Sequence, residues 1–123
     1  MFATQQRLHN LIVVLDYNRI QASNRLKSII NMEPIIDKWK SFGWEVETAD
    51  GHDPQDIHRA IENLKHKSEE APSIVVAHTH KGHGLAGIED APNCHMLVPK
   101  GDEWRQVCED FGISFEELVE SAE

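Results

Sequence analysis

LIVVLDYNRI, residues 11–20, opens with an unbroken apolar run and breaks at a polar turn, Asp16-Tyr17-Asn18. The run LIVVLD (11–16) is too short for an amphipathic helix. It predicts a strand covered on both faces, as in a parallel sheet. The residue that follows decides what the strand is for. Asn18 either shapes the turn, a position asparagine favours, or holds its amide oxygen out as a hard ligand.

The segments downstream fit the same plan. Ile35, Ile36, Trp39 and Phe42 recur at helical spacing from Glu33 onward, with Pro34 in the first turn and Gly43 at the stop. WEVETAD (44–50) alternates like a strand. Asp53 and Pro54 predict a helix start, and Ile57, Ala60, Ile61 and Leu64 mark its buried stripe to about Lys67. SIVVAHT (73–79) is a third buried strand, and Gly82, Gly84 and Gly87 punctuate a loop to about Pro99. Two short helices close the chain, one beginning near Asp102 and one capped by Ser114, with Glu117 completing a capping box. Residues 22–32 suit either an extended connection or a partial helix.

Strand, helix, strand, helix, strand predicts a βαβαβ unit, part of a doubly wound parallel α/β sheet with helices on both faces. Ligands of such sheets bind beyond the carboxyl ends of the strands, where Asn18 and the KGHG turn (81–84) fall. Three strands are few for a self-sufficient parallel sheet, and MFATQQRL (1–8) reads as the back of a helix. Residues 1–123 are therefore expected to be a single partial domain of something larger.

The chain has 123 residues and a net charge of −9, which disfavours binding to phosphate backbones, so no nucleic-acid partner is expected. No stretch approaches the ~20 apolar residues of a membrane helix, and the start lacks a signal-peptide pattern. Cys94 and Cys108 form no disulfide framework. A cytoplasmic protein without membrane contact is expected.

Several residues could carry chemistry. The Asn18 side chain and the Ile20 carbonyl are oxygen donors of the kind Mg²⁺ accepts. Lys81 among glycines can meet an anion, although Lys-Gly turns are common. His78, His80 and His83 raise a transition-metal alternative without an evident fourth ligand. His95, in the aperiodic NCHMLVP (93–99), is either a surface residue or an acid–base group. Cys94 lacks a base at fixed spacing that would make it a nucleophile.

Together the stretches LHNLIVVLDYNRIQ, MEPIIDKWKSFGWEVETADGHD, SIVVAHTHKGHGLAGIED and CHMLVP resemble the later half of the transketolase N-terminal, diphosphate-binding domain. The resemblance implies thiamine diphosphate anchored through Mg²⁺, with Asn18 and Ile20 as metal ligands in a D-x-N-x-[IL] turn. It implies Lys81 near the cofactor, and His95 touching both diphosphate and sugar as the catalytic histidine. Cys94, Met96 and Leu97 depart from the family's Trp, Gly and basic residue around that histidine. The family's Gly-Asp-Gly segment, which carries the metal carboxylate, and its pyrimidine-binding domain with the activating glutamate have no counterpart in residues 1–123.

Two functions follow from the resemblance. One is part of a transketolase that moves a two-carbon ketol unit between sugar phosphates, completed by partner chains in a homo- or hetero-oligomer. The other is a non-catalytic, truncated binding or assembly module.

Overall fold

A computed structural model describes residues 1–22, 24–67, 69–85 and 87–116. The chain divides into two compact units, Met1–Arg19 with Ile30–Thr79, and Ile20–Ile29 with the segment from His80 onward.

The first unit holds a three-stranded parallel sheet of order β1-β5-β4, from β1 (Ile12–Tyr17), β4 (Glu45–Asp50) and β5 (Ser73–His78). β5 lies in the middle, which is why its apolar run is continuous: Ile74, Val75 and Val76 are wholly buried. Helix α4 (Pro54–Lys65) starts where Asp53 accepts the Gln55 N–H at 2.8 Å and Pro54 occupies the first turn. Its Ala60 and Leu64 pack on Ala49 and Val75, with Ile12, Ile57 and Ile61 at the margin. Burying a side chain such as Leu64 contributes about 1.5–3 kcal/mol.

Helix α3 (Ile35–Ser41) lies against the other face. Its Trp39 meets Trp44 edge-on with centroids 5.0 Å apart, and Trp44 shares strand parity with the buried Val46 rather than with Ala49. Helices thus cover both faces, as the pattern predicts. A one-turn α1 (Phe2–Gln5) precedes the sheet, and the Thr4 hydroxyl donates to the Phe42 carbonyl at 2.7 Å. Gly43, at φ +79°, ends α3 and leaves no room for a Cβ against Thr4.

Three expectations need correction. β1 is not covered on both faces: Val14 is 50% exposed, because α4 lies over β4 and β5 and reaches β1 only at its start. Pro34 is the N-cap of α3, in an extended conformation after a cis bond, rather than a residue of its first turn. α4 ends at Lys65, two residues before Lys67.

The second unit contains a minimal antiparallel ladder, β2 (Ile20–Gln21) with β3 (Asn24–Arg25), then the one-turn α2 (Leu26–Ile29). The glycine-rich loop follows, then α5 (Asp102–Phe111), which ends at Gly112 in the left-handed region. Arg25 Nη2 donates to the Asp90 carbonyl at 2.9 Å, tying the ladder to the loop. Ser114 donates to Glu116 at 3.0 Å, while Glu117 of the expected capping box lies outside the described residues.

Candidate cofactor site

β1 and β5 run in register with Tyr17 opposite His78, so the two strands end level. Asn18 and Thr79 are the first residues past that edge. The Asn18 amide donates from Nδ2 to Asp16 Oδ2 at 3.3 Å, and the other Asp16 oxygen accepts the Thr79 hydroxyl. Arg19 follows with φ +61°, a left-handed conformation that costs a non-glycine residue roughly 1–2 kcal/mol. Such strain collects at functional turns.

The turn is anchored by its neighbour. Tyr17 is buried, its ring edge-on to His78 at 5.8 Å, with the Arg19 guanidinium 5.7 Å from the ring centroid. The Tyr17 hydroxyl donates to Glu33 Oε1 at 2.7 Å, and Glu33 Oε2 accepts the Ile35 N–H at 3.0 Å. Burial, reinforced by that carboxylate, pushes the Tyr17 phenol above its usual value. The Tyr17 hydroxyl, followed by the Ile35 N–H, holds Glu33 below the usual carboxylate range.

In the second unit Ile20 is buried and pairs with Arg25 in the ladder, which fixes its backbone. Lys81 and His95, fourteen residues apart, meet with Nζ 3.2 Å from Nδ1. An ammonium can only donate, so Nδ1 is the acceptor and the neutral ring carries its proton on Nε2. The pair offers an anion or a sugar hydroxyl a charge and an N–H side by side.

His80 and His83 are engaged otherwise than as a metal cluster. His80 Nδ1 lies 2.7 Å from Asp90 Oδ2, and His83 Nδ1 lies 3.2 Å from Glu89 Oε2. The Glu89 carboxylate also accepts the Gly84 N–H at 3.1 Å, and the Asp90 N–H donates to the Lys81 carbonyl at 2.8 Å. These bonds clasp the loop on which Lys81 sits. Among the described residues no group of three His, Cys, Asp or Glu side chains could hold a metal ion. His78 instead packs against Tyr17. The transition-metal alternative thus finds no ligand cluster among the described residues, where His80 and His83 meet carboxylates and His78 meets an aromatic ring.

Sequence reasoning missed the Asp16–Thr79 contact, the Tyr17–Glu33 bond and the two histidine–carboxylate pairs. Each of these joins residues with no common motif, the Asp16–Thr79 pair being sixty-three residues apart.

The sequence model described as transketolase, thiamine diphosphate binding domain, matches residues 1–121. The chain belongs to the transketolase family. It is 38% identical over 101 residues to an apulose-4-phosphate transketolase subunit of Actinobacillus succinogenes, covering 82% of this chain and 36% of that one. It is 35% identical over 105 residues to the 6-deoxy-6-sulfo-D-fructose transketolase subunit of a Clostridium species, covering 85% and 38%. The crystal structure of Pichia stipitis transketolase with sedoheptulose 7-phosphate superposes with a TM-score of 0.78 at 27% identity, covering 92% of this chain and 17% of that one. This transketolase-family chain therefore spans between a third and two-fifths of the length of these two bacterial subunits.

The donor types present fit the family's cofactor. With Nδ2 committed to a carboxylate, the Asn18 amide turns its oxygen the other way, and an amide oxygen with a backbone carbonyl suits Mg²⁺. Lys81 and His95 suit a diphosphate. Among the described residues no helix is long and apolar enough to cross a membrane.

Proposed function

We propose that residues 1–123 are one partial domain contributing half of a thiamine diphosphate site in a ketol-transferring enzyme. Partner chains in a homo- or hetero-oligomer would supply the Gly-Asp-Gly segment and the pyrimidine-binding domain. The relatives named as subunits support such a division. The observation that carries the reading is the Asp16-held amide of Asn18 at the end of β1, in a chain of this family.

In this reading Asn18 Oδ1 and the Ile20 carbonyl bind Mg²⁺, and Lys81 and His95 bind the diphosphate. When bound, thiamine diphosphate would supply the carbanion chemistry that two-carbon ketol transfer needs. The chain's residues bind and orient. Lys81 neutralises diphosphate charge, and His95, its Nδ1 engaged by Lys81, presents Nε2–H to a phosphate or sugar oxygen. His95 is the catalytic residue of this set. Sugar phosphates are the substrate class, in keeping with the apulose 4-phosphate and sedoheptulose 7-phosphate named for two relatives. The setting is cytoplasmic, without nucleic-acid or membrane partners.

Met96 and Leu97, in place of a glycine and a basic residue, favour a second reading, a non-catalytic assembly module; Met96 is 77% exposed. Reconstitution separates the two. Mixing the chain with partner chains, Mg²⁺ and thiamine diphosphate is expected to give ketol transfer from a ketose phosphate, lowered roughly 10–100-fold or more in Asn18→Ala. A mixture that binds cofactor without turnover would support the second reading.

A further inference from the structure

We propose that Asp16 is a positioning residue that sets which atom of the Asn18 amide faces the cation, and that Thr79 locks Asp16 in that role. The inference rests on the reading of Asn18 as a metal ligand and adds the device that orients it.

An asparagine amide has two nearly isosteric ends, one that donates and one that accepts. A cation tolerates only the acceptor, so a ligating asparagine must be prevented from flipping. An ionised carboxylate has no hydrogen to give, and whichever amide atom faces it must be the NH₂. Asp16 Oδ2 stands 3.3 Å from that atom. The same contact turns Oδ1 away from Asp16. Orienting partners of this kind hold metal-binding side chains in their productive geometry.

Asp16 must itself be held, because it is exposed at the end of a strand. Its Oδ1 accepts the Thr79 hydroxyl, sixty-three residues away in sequence. The sheet register makes that contact possible. Asp16 pairs with Ala77 and Tyr17 with His78, so Thr79 follows directly beyond the paired end. The branch at Thr79 is fixed from its other side by Gly51. A Cβ on Gly51 would lie 2.2 Å from Thr79 Cγ2 and 3.0 Å from the His78 carbonyl oxygen. The Gly51 N–H also donates to that carbonyl at 2.8 Å. The Thr79 methyl therefore occupies the space a side chain at 51 would need, while its hydroxyl reaches Asp16. A β-branched residue with both branches engaged has little freedom at χ1. The chain of contacts runs from the end of β4 through Thr79 and Asp16 to Asn18.

Two readouts test this. The first uses the chain without cation or cofactor and follows the Asn18 side-chain NH₂ by ¹⁵N NMR. Wild type is expected to show two resolved protons with slowed solvent exchange. Asp16→Ala should lose that protection, Thr79→Val should weaken it, and Thr79→Ser should keep it. The second is Mn²⁺ affinity with thiamine diphosphate and partner chains, read from the spin-resonance signal of free Mn²⁺. Asp16→Asn keeps the shape but offers Asn18 a donor, so the amide can flip. Affinity should then fall roughly 10–100-fold, as for other residues that orient a ligand. Unprotected NH₂ protons in wild type would overturn the proposal. So would wild-type Mn²⁺ affinity in Asp16→Asn when Asn18→Ala loses binding, which leaves the ligand reading intact. Wild-type affinity in Asn18→Ala would instead overturn the ligand reading, and the proposal with it.

Discussion

The Tyr17 hydroxyl donates to Glu33 Oε1 at 2.7 Å, joining the last residue of β1 to the segment just before α3. Glu33 also accepts from the Ile35 N–H, so one carboxylate fastens both the helix start and the residue next to Asn18. The latch has a pH window set by its two groups. Tyr17 is raised above 10.0, so its contribution is full below that pH and is lost as pH rises through the higher folded value. Glu33 is lowered from 4.5, so its contribution is present above that pH and is lost as pH falls through the folded value.

Tyr17 is the only tyrosine, which makes the upper limit directly visible. Tyrosinate absorbance should titrate with a midpoint above 10.0 in the folded chain and move down in Glu33→Ala, remaining raised because burial persists. A wild-type midpoint at or below 10.0 would show that the latch does not form in solution.

Gly51 is required by close approach to Thr79 rather than by its dihedral angles. Gly51→Ala should destabilise the chain by roughly 1–3 kcal/mol through overpacking, measured by urea denaturation. The same variant should lose the slow exchange of the Asn18 NH₂. A stability within about 0.5 kcal/mol of wild type, the usual scatter for a surface change, would show that the site relaxes at little cost.

The loop carrying Lys81 has its own acid limit. The hydrogen bond from His80, then its charge, holds Asp90 below 3.8. This contribution is therefore present above that pH and is lost as pH falls through the depressed value. The Asp90 carboxyl carbon should titrate below 3.8 by NMR and return toward it in His80→Ala; a midpoint unaffected by that substitution would show that the pair is not formed in solution.

β1 is an edge strand of the described sheet, and Val14 on it is half exposed. An edge with apolar surface is a place for further strands or a covering helix. Val14→Glu should leave the circular dichroism of the chain unchanged and abolish its co-elution with partner chains. Co-elution as in wild type would place the contact elsewhere.

The sequence disclosed the strands and helices of the sheet because their periods are long enough to count. It could not distinguish β1 from β5, since both are runs of branched apolar residues and only the reach of α4 leaves Val14 open. The ladder at Ile20–Arg25 and the single turn of α2 are too short to carry a period. At the site, Asn18, Ile20, Lys81 and His95 stand out by residue type and take their roles only from the resemblance, and the structure brings Lys81 and His95 into contact. Asp16 and Thr79 lay hidden because strand register, not spacing, makes them neighbours.

The most direct measurement is calorimetric titration of thiamine diphosphate with Mg²⁺ into the chain alone and into its mixture with partner chains. Binding is expected in the mixture, with little or none to the chain alone, and loss of the mixture's binding in Asn18→Ala. Binding by the mixture that is indifferent to Asn18, or no binding in either sample, would contradict a shared cofactor site.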